Sequence, residues 1–290
     1  MRIAFLADIH GNLPALEAVV ADLAAQSPDA VYLVGDQINR CPWNNQVMDL
    51  IVDRGWPAIY GNHDWVVGCI NTPDLPVTFQ NRQRFPSLWW THETLHPDHL
   101  ARVRSLPAEM RLAFDGAAPI RMLHGVPGNP FVGLLPFTIE EKLAELVDGI
   151  AERIIVAGHT HRQMDRCISD KRGRHWRIFN GGSVGLPYNG DPRAQYLLLD
   201  WTQAGWQPTF RAIDYDHAPI PAAFESSGMI AAAGASAELH LRTVMTGQPW
   251  SSDFGHWMGR QPPEMRQDMP AAIRQYLATH GPGNWSFLDE

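Results

Sequence analysis

The sequence predicts an α/β protein in which two packed sheets carry helices on their outer faces. Apolar runs alternate with helical periodicity through the first 60 residues, the pattern of a parallel sheet with right-handed crossovers. Between 163 and 213 the chain becomes a series of strand-like stretches divided by turn residues, which supplies the second half of a two-sheet sandwich. With 290 residues, 45% of them hydrophobic, the chain is long enough to bury such a core.

Residues 3–7 are a short apolar run closed by polar residues, as a buried strand is. Asn12 can cap the next helix, with Pro14 in its first turn and Leu16, Val19, Val20 and Leu23 at helical spacing. Residues 30–34 read as the second strand, 45–52 as a helix and 57–60 as a third, short strand. From Trp65 to about Asp115, repeated prolines restrict the chain to short helices and loops, with a helical hairpin over 85–96 and 97–106. Strands resume at 110–114 and 120–123, a helix spans 138–147, and a strand spans 153–157. Four more strands follow at 163–168, 175–179, 194–199 and 206–213. After Asp216 the chain turns Ala-, Met- and Trp-rich and reads as helical. The expected organisation is therefore a sandwich domain over 1–215, a helical insert over 65–109 within it, and a helical extension over 216–290 that could serve as a lid or an interface.

Lys+Arg 23 against Asp+Glu 31 gives a net charge of -8, which argues against an extended nucleic-acid surface. Cys41, Cys69 and Cys167 are too few and too scattered for a disulfide framework or a thiolate zinc site. No stretch approaches the ~20 apolar residues of a membrane span. The expectation is a soluble protein of a reducing, cytoplasmic compartment, without membrane partners.

The polar residues that carry chemistry fall just after strands. The first strand ends in Asp8-Ile9-His10, the second in Gly35-Asp36, and the third runs into Gly61-Asn62-His63-Asp64. The strand at 120–123 delivers His124-Gly125, and the one at 153–157 delivers Gly158-His159-Thr160-His161. Carboxyl ends of strands line the ligand crevice of open α/β sheets, so the five clusters can converge. Carboxylate, imidazole and amide donors without thiolate suit Mn, Fe, Zn, Co or Ni. Seven candidate ligands exceed the needs of one ion, whereas two ions about 3.5–4 Å apart sharing a carboxylate would use them all.

The ordered series DIH, GDxxxR, GNHD, HG and GHTH resembles the calcineurin-like metallophosphoesterase superfamily. The stretches 180–185 (Asn-Gly-Gly-Ser-Val-Gly) and 190–193 (Gly-Asp-Pro-Arg) are similar to a bacterial and archaeal small-phosphodiesterase subgroup. The resemblance covers roughly residues 1 to 215. It implies that Asp8, His10 and His161 bind one divalent ion, that Asn62, His124 and His159 bind the other, and that Asp36 bridges them, Mn being favoured. It further implies hydrolysis of a phosphoester by a hydroxide shared between the ions. His63 would donate to the phosphoryl group or the leaving oxygen, and Arg40 would clamp a phosphate oxygen. Asn39 stands where the protein-phosphatase branch has an aspartate that orients the catalytic histidine.

The expected substrate is a small phosphodiester or nucleotide. A dinucleoside polyphosphate hydrolase and a protein Ser/Thr phosphatase are the alternatives, and a retromer-type scaffold is the non-enzymatic one. Of the remaining features, His92, His96 and His99 read as a solvated helix face, as do Arg82, Arg84, Arg102 and Arg104. Phe85, Trp89 and Trp90 read as core anchors of the insert, and Arg162 and Arg193 lie near site motifs without a defined orientation. Trp250, Phe254, Trp257 and Met258 read as a packing cluster in the extension.

Overall fold

The computed structural model describes residues 1–281, so the last nine residues of the expected extension lie outside the described residues. In chain order the first half runs β1 (Arg2–Leu6), α1 (Leu13–Gln26), β2 (Ala30–Leu33), α2 (Asn44–Arg54), α3 (Asn62–Cys69), α4 (Pro86–Thr94) and α5 (Pro97–Ser105). There follow β3 (Glu109–Leu112), β4 (Ile120–Leu123), α6 (Glu140–Leu146), β5 (Ile154–Ala157), β6 (Gln163–Ser169), β7 (His175–Gly181), β8 (Ala194–Thr202) and β9 (Gly205–Ile213). Five helices complete it: α7 (Ile220–Ser226), α8 (Met229–Ala233), α9 (Ala235–Thr246), α10 (Trp250–Gly259) and α11 (Met269–Thr279).

One sheet has the order β2-β1-β8-β9 and the other β3-β4-β5-β7-β6. Both are mixed: β1 pairs parallel with β2 and antiparallel with β8, and β5 lies parallel between β4 and β7. The period-2 alternation of each strand explains the layering. On β1, Ile3 and Phe5 join Met122, Val156, Phe179 and Leu197 between the sheets, while Ala4 and Leu6 pack with α1, α2 and α3. On β5, Val156 faces the intersheet core, and Ile155 and Ala157 turn to α6. Every one of these side chains is essentially buried.

Asn12 accepts from the Ala15 N–H and caps α1, as the sequence implies. The expected third strand at 57–60 is corrected to a single parallel bridge between Leu33 and Ala58. Pro57 contributes no N–H, so the ladder does not extend before the bridge, and after it the Tyr60 N–H turns to the Pro107 carbonyl. Trp90 joins Cys41, Leu186, Tyr188, Ile220 and Phe224 in a core where the insert meets the extension. Trp250, Phe254, Trp257 and Met258 pack with Tyr276 between α9, α10 and α11. Among the described residues no helix is long and apolar enough to cross a membrane.

Candidate metal centre

Five chain segments deliver the site. Asp8 and His10 follow β1, Asp36 follows β2, Asn62 and His63 open α3, His124 follows β4, and His159 and His161 follow β5. Since β1 and β2 belong to one sheet and β4 and β5 to the other, the crevice lies where the carboxyl ends of both sheets meet.

All seven ligand-type side chains come together. His161 Nε2 lies 3.2 Å from both Asp8 Oδ1 and His10 Nε2. Asn62 Oδ1 lies 3.1 Å from His124 Nε2 and 2.8 Å from His159 Nδ1. Asp36 Oδ2 stands between these two groups, 3.6 Å from His10 Nε2 and 3.4 Å from His124 Nε2. Asp8, His10, Asp36, His124 and His161 are buried, while Arg40, Asn62, His63 and His159 are partly exposed and form the mouth.

Hydrogen bonds on the outer side of His124, His161, Asp8 and Asp36 orient these side chains toward the crevice. His124 Nδ1–H donates to the Val34 carbonyl at 2.8 Å, and His161 Nδ1–H donates to that of Leu186, which turns both Nε2 atoms toward the crevice. Asp8 Oδ2 accepts the His159 backbone N–H at 3.0 Å, and Asp36 Oδ1 accepts that of His63 at 2.8 Å. Asp8 Oδ1 and Asp36 Oδ2 are therefore the oxygens left for the crevice. Asp8 Oδ1 and His10 Nδ1 are buried with no hydrogen-bond partner. Leaving one such group unmade costs about 1–3 kcal/mol, and facing acceptors repel as well. Divalent cations remove both penalties, so this nitrogen- and oxygen-donor set fits a metal cluster.

The electrostatics agree. Burial lowers His10 well below the ordinary imidazole value, takes His63 down to about 3 and His159 to about 4, so these rings are neutral and carry free lone pairs. His124 moves the other way: against the cost of burial, the Asp36 carboxylate raises it to about 9. Burial, with the Asp36 charge beside it, lifts Asp64 to about 7. Asp64 instead organises backbone, accepting from the N–H groups of Gln37, Ile38 and Gly61 at 3.0–3.3 Å.

Backbone strain concentrates here. Among the described residues nine non-glycine positions have positive φ, and seven of them are Asp8, His10, Asp36, Asn39, Arg40, His159 and His161. The left-handed conformation turns successive side chains toward the same crevice at a cost of order 1–3 kcal/mol each. The glycines serve mainly close approach: a Cβ on Gly61 would stand 2.1 Å from Asp36 Oδ1.

Some contributors carried no sequence signal of their own. Tyr188 stacks on the His161 ring with centroids 4.1 Å apart, and Thr91, far away in the insert, donates to Asn39 Oδ1 at 3.1 Å. The 180–185 stretch supports the loops, with Asn180 Nδ2 donating to the Gly158 carbonyl and Ser183 Oγ to that of Asp8. Arg40 Nε lies 3.2 Å from His63 Nε2, and its Nη1 is buried without an acceptor.

Other expectations need correction. Arg193, whose orientation the sequence left open, pairs with Asp191 at the surface. His99 is not on a solvated face: it is buried and sits 2.9 Å from Asp49 Oδ1. His92 contacts the Val67 carbonyl, so the insert histidines are dispersed among separate partners. Arg104 hydrogen-bonds the Gly68 carbonyl at 2.8 Å, and Arg102 Nε is buried, so neither is simply solvated.

A two-sheet sandwich with a buried His/Asp cluster at its strand ends defines a class of metal-dependent phosphoesterase. The chain belongs to the calcineurin-like phosphoesterase superfamily, whose domain matches residues 1–204, and is a metallophosphoesterase. Among its relatives, the uncharacterized protein MJ0912 of Methanocaldococcus jannaschii is 26% identical over 212 residues, which is 68% of this chain and 82% of that protein. A metallophosphoesterase from Sphaerobacter thermophilus is 27% identical and superimposes with a TM-score of 0.63, covering 85% of this chain and 99% of that one. The hypothetical protein PH1004 from Pyrococcus horikoshii OT3 shares the fold at 20% identity, with a TM-score of 0.66 over 85% of this chain and 98% of that one.

Proposed function

We propose that the protein hydrolyses small phosphodiesters or nucleotides, using two divalent metal ions held by the strand-end cluster, manganese being favoured. The observation that carries this reading is the convergence of the unpartnered Asp8 Oδ1 and of Asp36 Oδ2 with the Nε2 atoms of His10, His124 and His161. Asp8, His10 and His161 would hold one ion and Asn62, His124 and His159 the other, with Asp36 between the two groups contributing to both. When bound, the ions supply the positive charge that polarises a phosphoryl group and acidifies a water.

The chain's own residues do the rest. Arg40, whose Nε–H donates to His63 Nε2, offers its unpartnered Nη1 to a phosphate oxygen at the mouth of the crevice. His63, beside it, donates a proton or hydrogen bond to the phosphoryl or leaving oxygen. The net charge of -8 disfavours polyanionic polymers as substrates, which supports a small ester. In this reading residues 1–215 form the catalytic part, and the helices after 216 brace the insert.

Hydrolysis of bis-p-nitrophenyl phosphate, its loss on chelation and its return with Mn²⁺ test the chemistry. Comparing bis-nucleoside polyphosphates, cyclic nucleotides and phosphopeptides tests the substrate class. A protein that takes up no metal and cleaves none of these would overturn the reading.

A further inference from the structure

We infer that Phe131, with Trp65 and Phe79, forms an aromatic wall beside the metal crevice that stacks the nucleobase of the substrate, which makes the protein selective for nucleotide esters. The inference rests on the phosphoesterase reading and names the organic group that the phosphate carries.

Three separate segments build the wall. Trp65 stands in the first half of α3, three residues after Asn62, and helix positions i and i+3 share a face. The rise between them is about 4.5 Å along the axis, a span comparable to one ribose. Phe131 belongs to the loop between β4 and α6. Two residues on, a Cβ at Gly133 would stand 3.0 Å from His159 Cδ2 and 2.6 Å from Thr160 Cγ2, so the backbone of this loop lies directly against the histidine ring. His159 Nδ1 is in turn 2.8 Å from Asn62 Oδ1. Phe131 and Trp65 therefore border the same side of the crevice, and they touch there, ring centroids 5.8 Å apart and planes at 87°. Phe79, further along the insert, stacks on Phe131 at 5.8 Å and 24°.

The loop is pinned at both ends. Val126 and Asn129 exchange backbone hydrogen bonds, and Asn129 Oδ1 accepts the Phe131 N–H at 2.9 Å. Beyond the ring, Leu134 is fully buried and Arg166 donates to the Pro136 carbonyl. Between these anchors Phe131 and Val132 each stay 38% exposed. A large apolar side chain held open to water next to a polar crevice marks a surface that a ligand covers. The two surfaces match the two ends of a nucleotide: the ligand cluster and Arg40 suit a phosphate, and aromatic rings suit the π face that every base has. An aliphatic alcohol would gain only buried area from the same wall, whereas a base gains stacking as well.

The test is isothermal titration calorimetry of the full chain with Mn²⁺, using adenosine 5′-monophosphate, ribose 5-phosphate and inorganic phosphate. The wild type should bind the nucleotide roughly tenfold more tightly than the sugar phosphate, within the range of one stacked base. Phe131→Ala should bring the two affinities within about twofold of each other, Phe131→Leu should lose most of the preference, and Phe131→Tyr should keep it. Equal affinities in the wild type would overturn the inference without recourse to any variant, as would an undiminished preference in Phe131→Ala or Phe131→Leu. Equal affinities in a protein that cleaves bis-p-nitrophenyl phosphate would leave the phosphoesterase reading standing. A protein that binds none of the three and cleaves no ester would overturn that reading, and the wall's role with it.

Discussion

Asp36 and His63 are joined through the backbone: the His63 N–H donates to Asp36 Oδ1 at 2.8 Å, so only Oδ2 is free to face His10 and His124. The bond couples the carboxylate at the end of β2 to the first turn of α3, where the candidate proton donor stands. Asp36→Asn would keep its amide oxygen on the His63 N–H and place an NH₂ group, which has no lone pair to offer, between the two imidazoles. Turnover should fall by more than about 100-fold, beyond the usual effect of losing an outer partner of a ligand. Elemental analysis should find less than the full metal complement while circular dichroism stays native.

His63→Ala removes the donor without touching a ligand. The expected loss in kcat is about 10²–10⁴-fold with metal stoichiometry unchanged. Arg40→Ala should instead weaken ground-state and transition-state contacts together, raising KM as well as lowering kcat.

Removing metal should destabilise the protein, since buried lone pairs would again face one another. Stripping with a chelator and returning Mn²⁺ at about 100 times its Kd should stabilise by about 2.7 kcal/mol. For a chain of this size that is roughly a 5–10 °C rise in Tm, read by scanning calorimetry. A Tm indifferent to the ion would contradict a cluster poised for cations.

Gly61→Ala tests the close approach in the crevice wall. The new Cβ would meet Asp36 Oδ1 at 2.1 Å, so Asp36 must move or the α3 turn must open. A loss of about 1–3 kcal/mol in urea unfolding is expected from such overpacking. Metal content should drop in the same variant.

A pH effect is expected far from the site. Although burial opposes it, hydrogen bonds from Arg211 and Tyr196 hold the Asp22 carboxyl below its ordinary value of 3.8. A depressed folded-state pKa contributes stability that is complete above the unfolded value and disappears as pH falls through the folded one. Asp22→Asn should therefore lower Tm at pH 7, and the gap to wild type should narrow below about pH 4. A gap constant down to pH 2 would assign the effect to packing.

The clustering of these polar residues was legible because they follow apolar runs, and strand ends in α/β sheets lie on one rim. His124 and His161 could be read in this way without knowing that Val34 and Leu186 would accept their outer N–H groups. The third strand was misread because 57–60 has strand-like composition, yet Pro57 cannot donate to a ladder. His99 was misread because helical spacing does not reveal Asp49 on α2, 50 residues earlier.

Residue identity and short-range periodicity indicated most of the elements and the donor types, and the superfamily was read from the resemblance that the ordered motifs carry. The inward turn of these side chains, the left-handed backbone at seven site residues and the reach of Thr91 to Asn39 arose only when the two sheets and the insert packed together. Hydrogen bonds spanning 25 to 151 residues hold those orientations, and no local pattern in the chain encodes partners so far apart.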